Sequence, residues 1–123
     1  MFIYSNKKKN KILGVIHRYK KISNKRKNIS PINEYLQISS QKLKKGDYIN
    51  PHIHLKNKRT TLRTQEVWLV LRGKLSIKIF DIDKKNIKNL ILNKGDIYVL
   101  FCGGHSFKVL SNDAEFYEIK NGP

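Results

Sequence analysis

The second half of this chain is a succession of short, β-branched apolar runs separated by turn-forming residues, and this pattern constrains the fold most. Runs of this length and composition are typical of strands. Gly, Asn and Asp recur between them, for example at 72–74, 94–96 and 111–113, where they favour tight turns. Helical periodicity is almost absent. The sequence therefore predicts an all-β protein with little helix, either a sandwich or a closed barrel.

Ten strands are expected along the chain. Two are predicted before residue 30, at 2–5 and within 11–20. Eight follow, at 35–43, 48–54, 64–71, 75–82, 87–92, 97–101, 106–110 and 115–120. The only helical turn is predicted at 30–35, where Ser30 is a possible cap and Pro31 would occupy the first helical position.

The length of 123 residues indicates one domain with one core. Within it, residues 1–30 form a basic N-terminal segment with one or two edge strands, and residues 31–123 form the β-domain. The longest apolar run is far shorter than the ~20 residues of a membrane span, and the polar start lacks the apolar region of a signal peptide. A single cysteine, Cys102, excludes an internal disulfide and fits a reducing compartment. We therefore expect a soluble, cytoplasmic protein in which Cys102 packs in the interior.

A formal net charge of +17 would suit a protein that binds nucleic acid, because basic side chains neutralise phosphates. The charge is uneven, because residues 1–30 carry 10 of the 26 basic residues and no acidic residue. Lysine outnumbers arginine 21 to 5, and Lys, Ile and Asn, all common here, have AT-rich codons. No helix-turn-helix, zinc-finger or aromatic RNA-binding pattern accompanies the charge. These observations argue against nucleic acid as the partner.

Several of the residues that could bind a metal or take part in catalysis lie between residues 46 and 73. His52 and His54 are two residues apart, so in a strand both imidazoles lie on one face, close enough to bind one metal ion. Glu66 opens the next predicted strand, and His105 follows a Gly-Gly pair much later. The remaining histidine, His17, stands alone and is interpreted as a solvated or hydrogen-bonding strand residue.

The order of these residues resembles the cupin superfamily of small jelly-roll β-barrels, over roughly residues 36–119. The first cupin motif is matched by a glycine, His-x-His, a glutamate and a final glycine, and the second loosely by Gly95, Gly103 and His105. Stretches such as PHIH, QEVWLV and GGH are similar to small cupins found with bacterial surface-polysaccharide genes. The residues that match the first motif are Gly46, His52, His54, Glu66 and Gly73.

The resemblance implies that His52, His54, Glu66 and His105 bind a metal inside the barrel, and that the protein is a homodimer. The sequence departs from the motifs in three places. Eleven residues separate His54 from Glu66 instead of three or four, Phe101 replaces a proline, and one residue rather than two precedes His105. A longer loop must therefore cross the site.

Imidazole and carboxylate ligands suit zinc, iron, manganese, nickel or copper, and the ligand set alone does not choose among them. Such an ion would polarise a carbonyl group or activate water. The alternative is that the histidines fill polar barrel positions and Glu66 pairs with a lysine.

Four further residues are candidates for substrate binding. Trp68 shares a strand face with Glu66, and its ring could stack on a sugar or pack in the core. Tyr48 and Tyr117 are weaker candidates for the same role of stacking on a sugar. Arg63, in the inserted loop, could attract a phosphate-bearing substrate.

The function expected from these residues together with the resemblance is that of a metal-binding cupin that binds or alters a small polar substrate, such as a sugar derivative, by isomerisation or epimerisation. An iron-dependent, dioxygenase-like cupin is the second hypothesis. A non-catalytic ligand-binding module is the third.

Overall fold

The prediction of an all-β protein is confirmed. A computed structural model describes residues 1–23 and 25–122, and antiparallel strands make up nearly all of its regular structure. Its strands are β1 Phe2–Tyr4, β2 Ile12–His17, β3 Lys27–Asn28, β4 Ser39–Ser40, β5 Glu66–Arg72, β6 Lys74–Phe80, β7 Asn86–Asn93, β8 Ile97–Leu100, β9 Gly104–Val109 and β10 Glu115–Lys120. One short 3-10 helix covers Tyr19–Lys21. Across the described ranges, no helix has the length and apolar character needed to cross a membrane.

In the part of the chain that the structure describes, the strands form three antiparallel sheets, none of which closes on itself. A five-stranded sheet has the order β1-β2-β8-β5-β10, and a three-stranded sheet has the order β7-β6-β9. The third sheet contains only β3 and β4. Because β10 and β9 each pair with a single neighbour, each ends its sheet with an edge strand.

The main core lies between the five-stranded and three-stranded sheets. Alternation along β5 places Trp68 and Val70 on the face that packs against β6, whose Leu75, Ile77 and Ile79 are fully buried. Each such aliphatic side chain stabilises the fold by about 1.5–3 kcal/mol when removed from water. The two sheets therefore form a sandwich.

A second apolar layer covers the other face of the five-stranded sheet. Val67, Val99 and Phe101 point to this side, and Ile29 packs over them. Both faces of β5 and β8 are therefore buried, which explains why their sequences are almost continuously apolar.

The N-terminal segment belongs to the main sheet. Of the two strands predicted there, β1 is an edge strand, whereas β2 lies between β1 and β8. Asp81 anchors the turn after β1, because its carboxylate accepts hydrogen bonds from the Ser5 hydroxyl at 2.6 Å and from the backbone N–H of Asn6 at 2.7 Å. Burial alone would raise the pKa of Asp81, but these hydrogen bonds outweigh it and lower the pKa.

Three sequence predictions are wrong. Residues 48–54 form no strand, only Ser39–Ser40 of the predicted strand 35–43 is extended in a sheet, and 30–35 forms a turn instead of helix. All residues from 41 to 64 are exposed. Apolar residues such as Ile49 and Ile53 find no sheet edge to pair with, and an unpaired strand is not stable in water.

Candidate functional site

The structure brings Glu66 and His105 together from different sheets. Glu66 is the first residue of β5, and His105 is the second residue of β9. The His105 Nε2 atom lies 3.5 Å from Glu66 Oε2, and both side chains are mostly buried. Two groups that are 39 positions apart in the sequence therefore meet at one edge of the sandwich.

The turn before β9 aims His105 inward. Gly103 has φ +87°, and a Cβ atom there would lie 2.5 Å from the Phe80 carbonyl oxygen. Glycine is therefore required for the chain to pass this closely over β6. In the antiparallel ladder His105 lies opposite Ile79, a core residue. Because opposed residues share a face, the imidazole points at the five-stranded sheet.

Trp68 contacts Glu66, His105 and Glu118, and these four residues form a cluster with Trp68 at its centre. It is 2 % exposed, and its indole stacks on the His105 ring with centroids 4.3 Å apart and planes inclined by 24°. The indole N–H donates to Glu66 Oε1 at 2.6 Å and, at a longer 3.3 Å, to Glu118 Oε2. One side chain thus orients both the imidazole and the carboxylate.

The pKa values of Glu66 and Glu118 are shifted in opposite directions. Burial raises the pKa of Glu66, and a hydrogen bond with Glu118 raises it further, against a lowering by Trp68. Glu118 has its pKa lowered, first by its hydrogen bond to Lys120, whose Nζ lies 2.7 Å from Glu118 Oε1. Glu66 is therefore the member of the pair that holds a proton more readily.

Two buried polar atoms beside this pair lack partners among the described residues. They are His105 Nδ1 and the Tyr98 hydroxyl, and the two rings are 5.9 Å apart. Burial lowers the pKa of His105 and raises that of Tyr98. Both groups are therefore neutral at pH 7. Buried polar groups are normally hydrogen-bonded, so each of these atoms is suited to a water molecule or a ligand.

His105 borders two cavities. One, of about 460 Å³, is lined by the cluster and by Ser106 and Phe107. The other, of about 670 Å³, includes Arg63 and Lys84 in its lining. The structure thus places the predicted substrate residue Arg63 in a cavity with His105. Both volumes fall in the range of small-molecule sites, roughly 300–1,000 Å³.

Cys102 also lines the second cavity, but its thiol is not activated. It is buried, and its Sγ donates a weak hydrogen bond to the Ile12 carbonyl at 3.5 Å. Burial raises the pKa of the thiol, which disfavours the nucleophilic thiolate. The expectation that Cys102 packs in the interior is confirmed.

His52 and His54 lie apart from the cluster contacts described above. Both are exposed, their ring centroids are 5.2 Å apart, and His52 Nδ1 lies 3.0 Å from the Asn50 carbonyl oxygen. In residues 1–23 and 25–122 no three His, Cys, Asp or Glu side chains gather as metal ligands. The four predicted ligands thus stand as two pairs, Glu66 with His105 and His52 with His54.

The donors of each pair have the right chemistry for a divalent transition metal, since imidazole nitrogen and carboxylate oxygen are its usual ligands. Glu66 Oε2 and His105 Nε2 already face each other. The structure therefore brings together two side chains that could act as metal ligands, whereas His52 and His54 lie on the exposed segment 41–63.

The other predicted substrate residues are dispersed. Trp68 is 2 % exposed and His105 covers one face of its ring, so the indole has almost no surface available for stacking on a sugar. Tyr48 lies on the exposed segment, and Tyr117 projects from the face of β10 opposite to Glu118, with 76 % and 61 % of their surfaces exposed.

Sequence reasoning missed Glu118 and Tyr98. Glu118 is paired with Trp68 in the β5–β10 ladder, and Tyr98 is paired with Trp68 in the β5–β8 ladder. Alternation assigns each residue a face, but only the pairing of strands identifies its neighbour.

Comparison with protein-family models, with curated proteins and with solved structures found no match to this chain, so its function is inferred from the geometry at Glu66 and His105.

Proposed function

We propose that this chain is a small jelly-roll protein of the cupin type that binds a divalent transition metal and acts on a small polar substrate, such as a sugar derivative. The approach of Glu66 to His105 within 3.5 Å, beside a cavity of about 460 Å³, carries the proposal. Both side chains are mostly buried, and His105 Nδ1 has no hydrogen-bond partner among the described residues, so the imidazole keeps a nitrogen for a ligand.

The metal would be held by Glu66 and His105, and by His52 and His54 once the segment 41–63 folds over the cavity. Bound there, it would polarise a carbonyl or hydroxyl oxygen of the substrate. Closure of this segment is feasible because the ties that hold it lie towards its ends. The Tyr35 hydroxyl donates to the Thr60 carbonyl, and Lys25 pairs with Asp47 at 3.4 Å.

The remaining residues of the site bind substrate and hold the ligands in position. Arg63 and Lys84, against the single carboxylate of Asp81, give the adjoining cavity a net positive charge for a carboxylate or phosphate on the substrate. Glu118, hydrogen-bonded to Glu66, orients the Glu66 carboxyl group. Trp68 excludes water from one side of His105 by stacking on it.

Metal content tests the proposal directly. Wild-type protein purified after exposure to zinc, iron, manganese and nickel should contain close to one ion per chain by elemental analysis. Glu66→Ala and His105→Ala should lose it, and so should His52→Ala and His54→Ala. Glu115→Ala, which removes an exposed carboxylate on β10, is the matched control and should keep it. A metal-free wild type, or full content in Glu66→Ala and His105→Ala, would contradict the proposal.

Turnover separates the functional alternatives. An isomerase or epimerase should exchange a substrate carbon-bound hydrogen with deuterium from solvent, visible by NMR on a panel of sugar phosphates and nucleotide sugars. An oxygenase of the dioxygenase type would instead consume oxygen when iron and substrate are both present. A binding module would be thermally stabilised by a ligand without forming product.

A second candidate is proton transfer without metal. It is favoured by the divergent pKa values of Glu66 and Glu118, since paired carboxyl groups with separated proton affinities are suited to acid and base roles. In that case solvent deuterium exchange would persist in a chelator and in His52→Ala, but would disappear in Glu66→Gln.

A further inference from the structure

A third, basic cavity of about 990 Å³ shares no residue with the cluster around Glu66 and His105. Its walls come from Arg18 and the 3-10 helix that follows it, from Ser76 of β6, from β7 and from the turn between β7 and β8. Its charged residues are Arg18, Lys20, Lys94 and Asp96, and its polar side chains include Asn89 and Asn93.

The single acidic residue of this cavity is already neutralised. Asp96 is 4 % exposed, and its Oδ2 accepts hydrogen bonds from Arg18 Nη1 at 2.6 Å and from the backbone N–H of Asn93 at 3.0 Å. Its Oδ1 accepts from the Tyr19 amide at 3.1 Å. A buried carboxylate therefore fixes three residues of the wall, and the charge that remains for a ligand comes from Lys20 and Lys94.

The ring of Tyr19 is a flat surface that packs against the backbone of Gly95. Gly95 has φ +81°, and a Cβ atom there would lie 2.8 Å from Tyr19 Cγ. The phenol ring thus rests on the bare backbone of Gly95. It remains 62 % exposed, which leaves ring surface for a second flat group.

Ser76, Asn89 and Asn93 are neutral polar side chains of the lining that can donate hydrogen bonds. The Asn89 side-chain oxygen accepts a hydrogen bond from Asn86 Nδ2 at 3.0 Å, so the group that Asn89 offers a ligand is its amide N–H. Lys20 and Lys94 are exposed ammonium donors. A cavity with two ammonium groups, an amide donor and a neutralised carboxylate selects anions that have several acceptor oxygens, as phosphate does.

We propose that this cavity, the Lys20–Lys94 cavity, binds a small organic phosphate, with the phosphate at the lysines and a flat ring on Tyr19. A nucleoside phosphate has this chemistry. The volume of about 990 Å³ lies at the upper end of the range for small-molecule pockets, roughly 300–1,000 Å³. Binding here is independent of the proposed metal site.

Calorimetry with ADP, inorganic phosphate and adenosine tests this assignment. ADP should bind more tightly than either part, and Lys20→Ala with Lys94→Ala should weaken it by about tenfold or more, the effect of losing one or two charge-assisted hydrogen bonds. Tyr19→Ala should weaken ADP more than inorganic phosphate. The matched control, Lys9→Ala with Lys45→Ala, removes the same charge from exposed positions and should leave affinity unchanged.

Several results would overturn the assignment. These are absence of ADP binding to wild type, adenosine binding as tightly as ADP, or equal losses in the cavity and control variants. A single-stranded oligonucleotide that binds tighter than ADP and is weakened equally by both variant pairs would show diffuse charge attraction instead. Glu66→Gln and His105→Gln should bind ADP as wild type does, so failure of the metal proposal would not affect this result.

Discussion

The indole of Trp68 stacks on the imidazole of His105, with ring centroids 4.3 Å apart. Trp68 is the only tryptophan of the chain, so its fluorescence reports the state of that one histidine. The same indole is hydrogen-bonded to Glu66. The geometry of the proposed site is therefore measurable without a substrate.

Acidification should quench the Trp68 fluorescence. Burial lowers the pKa of His105, with Glu118 opposing and Lys120 assisting, so the imidazole stays neutral until the pH is below its ordinary pKa of about 6.5. Once protonated, the stacked ring accepts an electron from the excited indole. Emission should therefore fall with a midpoint below pH 6.5.

His105→Gln is the control for this titration and should remove the transition. An identical titration in wild type and His105→Gln would show that the stack does not form.

Glu66→Gln and Glu66→Ala should differ in stability. Glutamine keeps an oxygen acceptor for the Trp68 indole N–H, which bonds to Glu66 Oε1 at 2.6 Å. Alanine removes that acceptor and leaves only the longer contact to Glu118. Leaving a buried donor poorly satisfied costs about 1–3 kcal/mol. Urea unfolding should show a loss of that size for Glu66→Ala and a smaller one for Glu66→Gln, and equal losses would contradict the bond.

The strands that build this site were predictable because turn chemistry and apolar runs mark them. The predicted strand 64–71 corresponds to β5, and the predicted strand 115–120 matches β10 in both bounds. What the strand pattern could not predict is which strands become neighbours. The motif resemblance implied that Glu66 and His105 approach each other, but no local pattern encodes the facing sheets of β5 and β9 that bring them together.

The predicted strand 48–54 failed for a related reason. Its residues have strand-like composition, yet a strand forms only where a neighbouring edge accepts its backbone hydrogen bonds. Ile53 has 85 % of its surface accessible, so apolar character alone was not sufficient for this segment to pair with another strand. Whether His52 and His54 reach Glu66 therefore depends on the position of this segment, which composition does not encode.

Leu92→Ala and Leu62→Ala should separate core from surface. Leu92 is fully buried between the sheets, whereas Leu62 is 92 % exposed. Removing the buried side chain should destabilise the protein by about 2–5 kcal/mol. The exposed substitution should stay within about 0.5 kcal/mol. Thermal or urea unfolding measures both, and a large effect at Leu62 would show that segment 41–63 packs against the domain.

Stability should fall on acidification because of His17. The side chain is buried at the end of β2, and its Nε2 has no partner among the described residues. Burial lowers its pKa, the charges of Lys27, the N-terminus and Lys21 lower it further, and Asp96 opposes them. The unfolded chain then binds a proton at about pH 6.5, before the folded chain does. Stability is therefore level above pH 6.5 and declines from there down to the folded-state pKa.

Urea unfolding at pH 7.5 and pH 5.0 measures the effect of His17. His105 also has a lowered pKa and contributes with the same sign, so the comparison needs single variants. His17→Asn should show a smaller loss of stability between the two pH values than wild type. A loss equal to that of wild type would mean that His17 titrates normally in the folded state.

Gly73→Ala should be more harmful than Gly46→Ala, although both glycines have positive φ, at +77° and +89°. Alanine in this conformation costs about 1–2 kcal/mol at either position. At Gly73 the added Cβ would also lie 2.2 Å from the Asp113 carbonyl oxygen, whereas at Gly46 it would meet nothing within 4 Å. The turn between β5 and β6 must therefore shift in Gly73→Ala, and β5 carries Glu66 and Trp68. Urea unfolding should show the larger loss for Gly73→Ala, together with altered Trp68 fluorescence, and equal losses would mean that the backbone at residues 73 and 113 is not in contact.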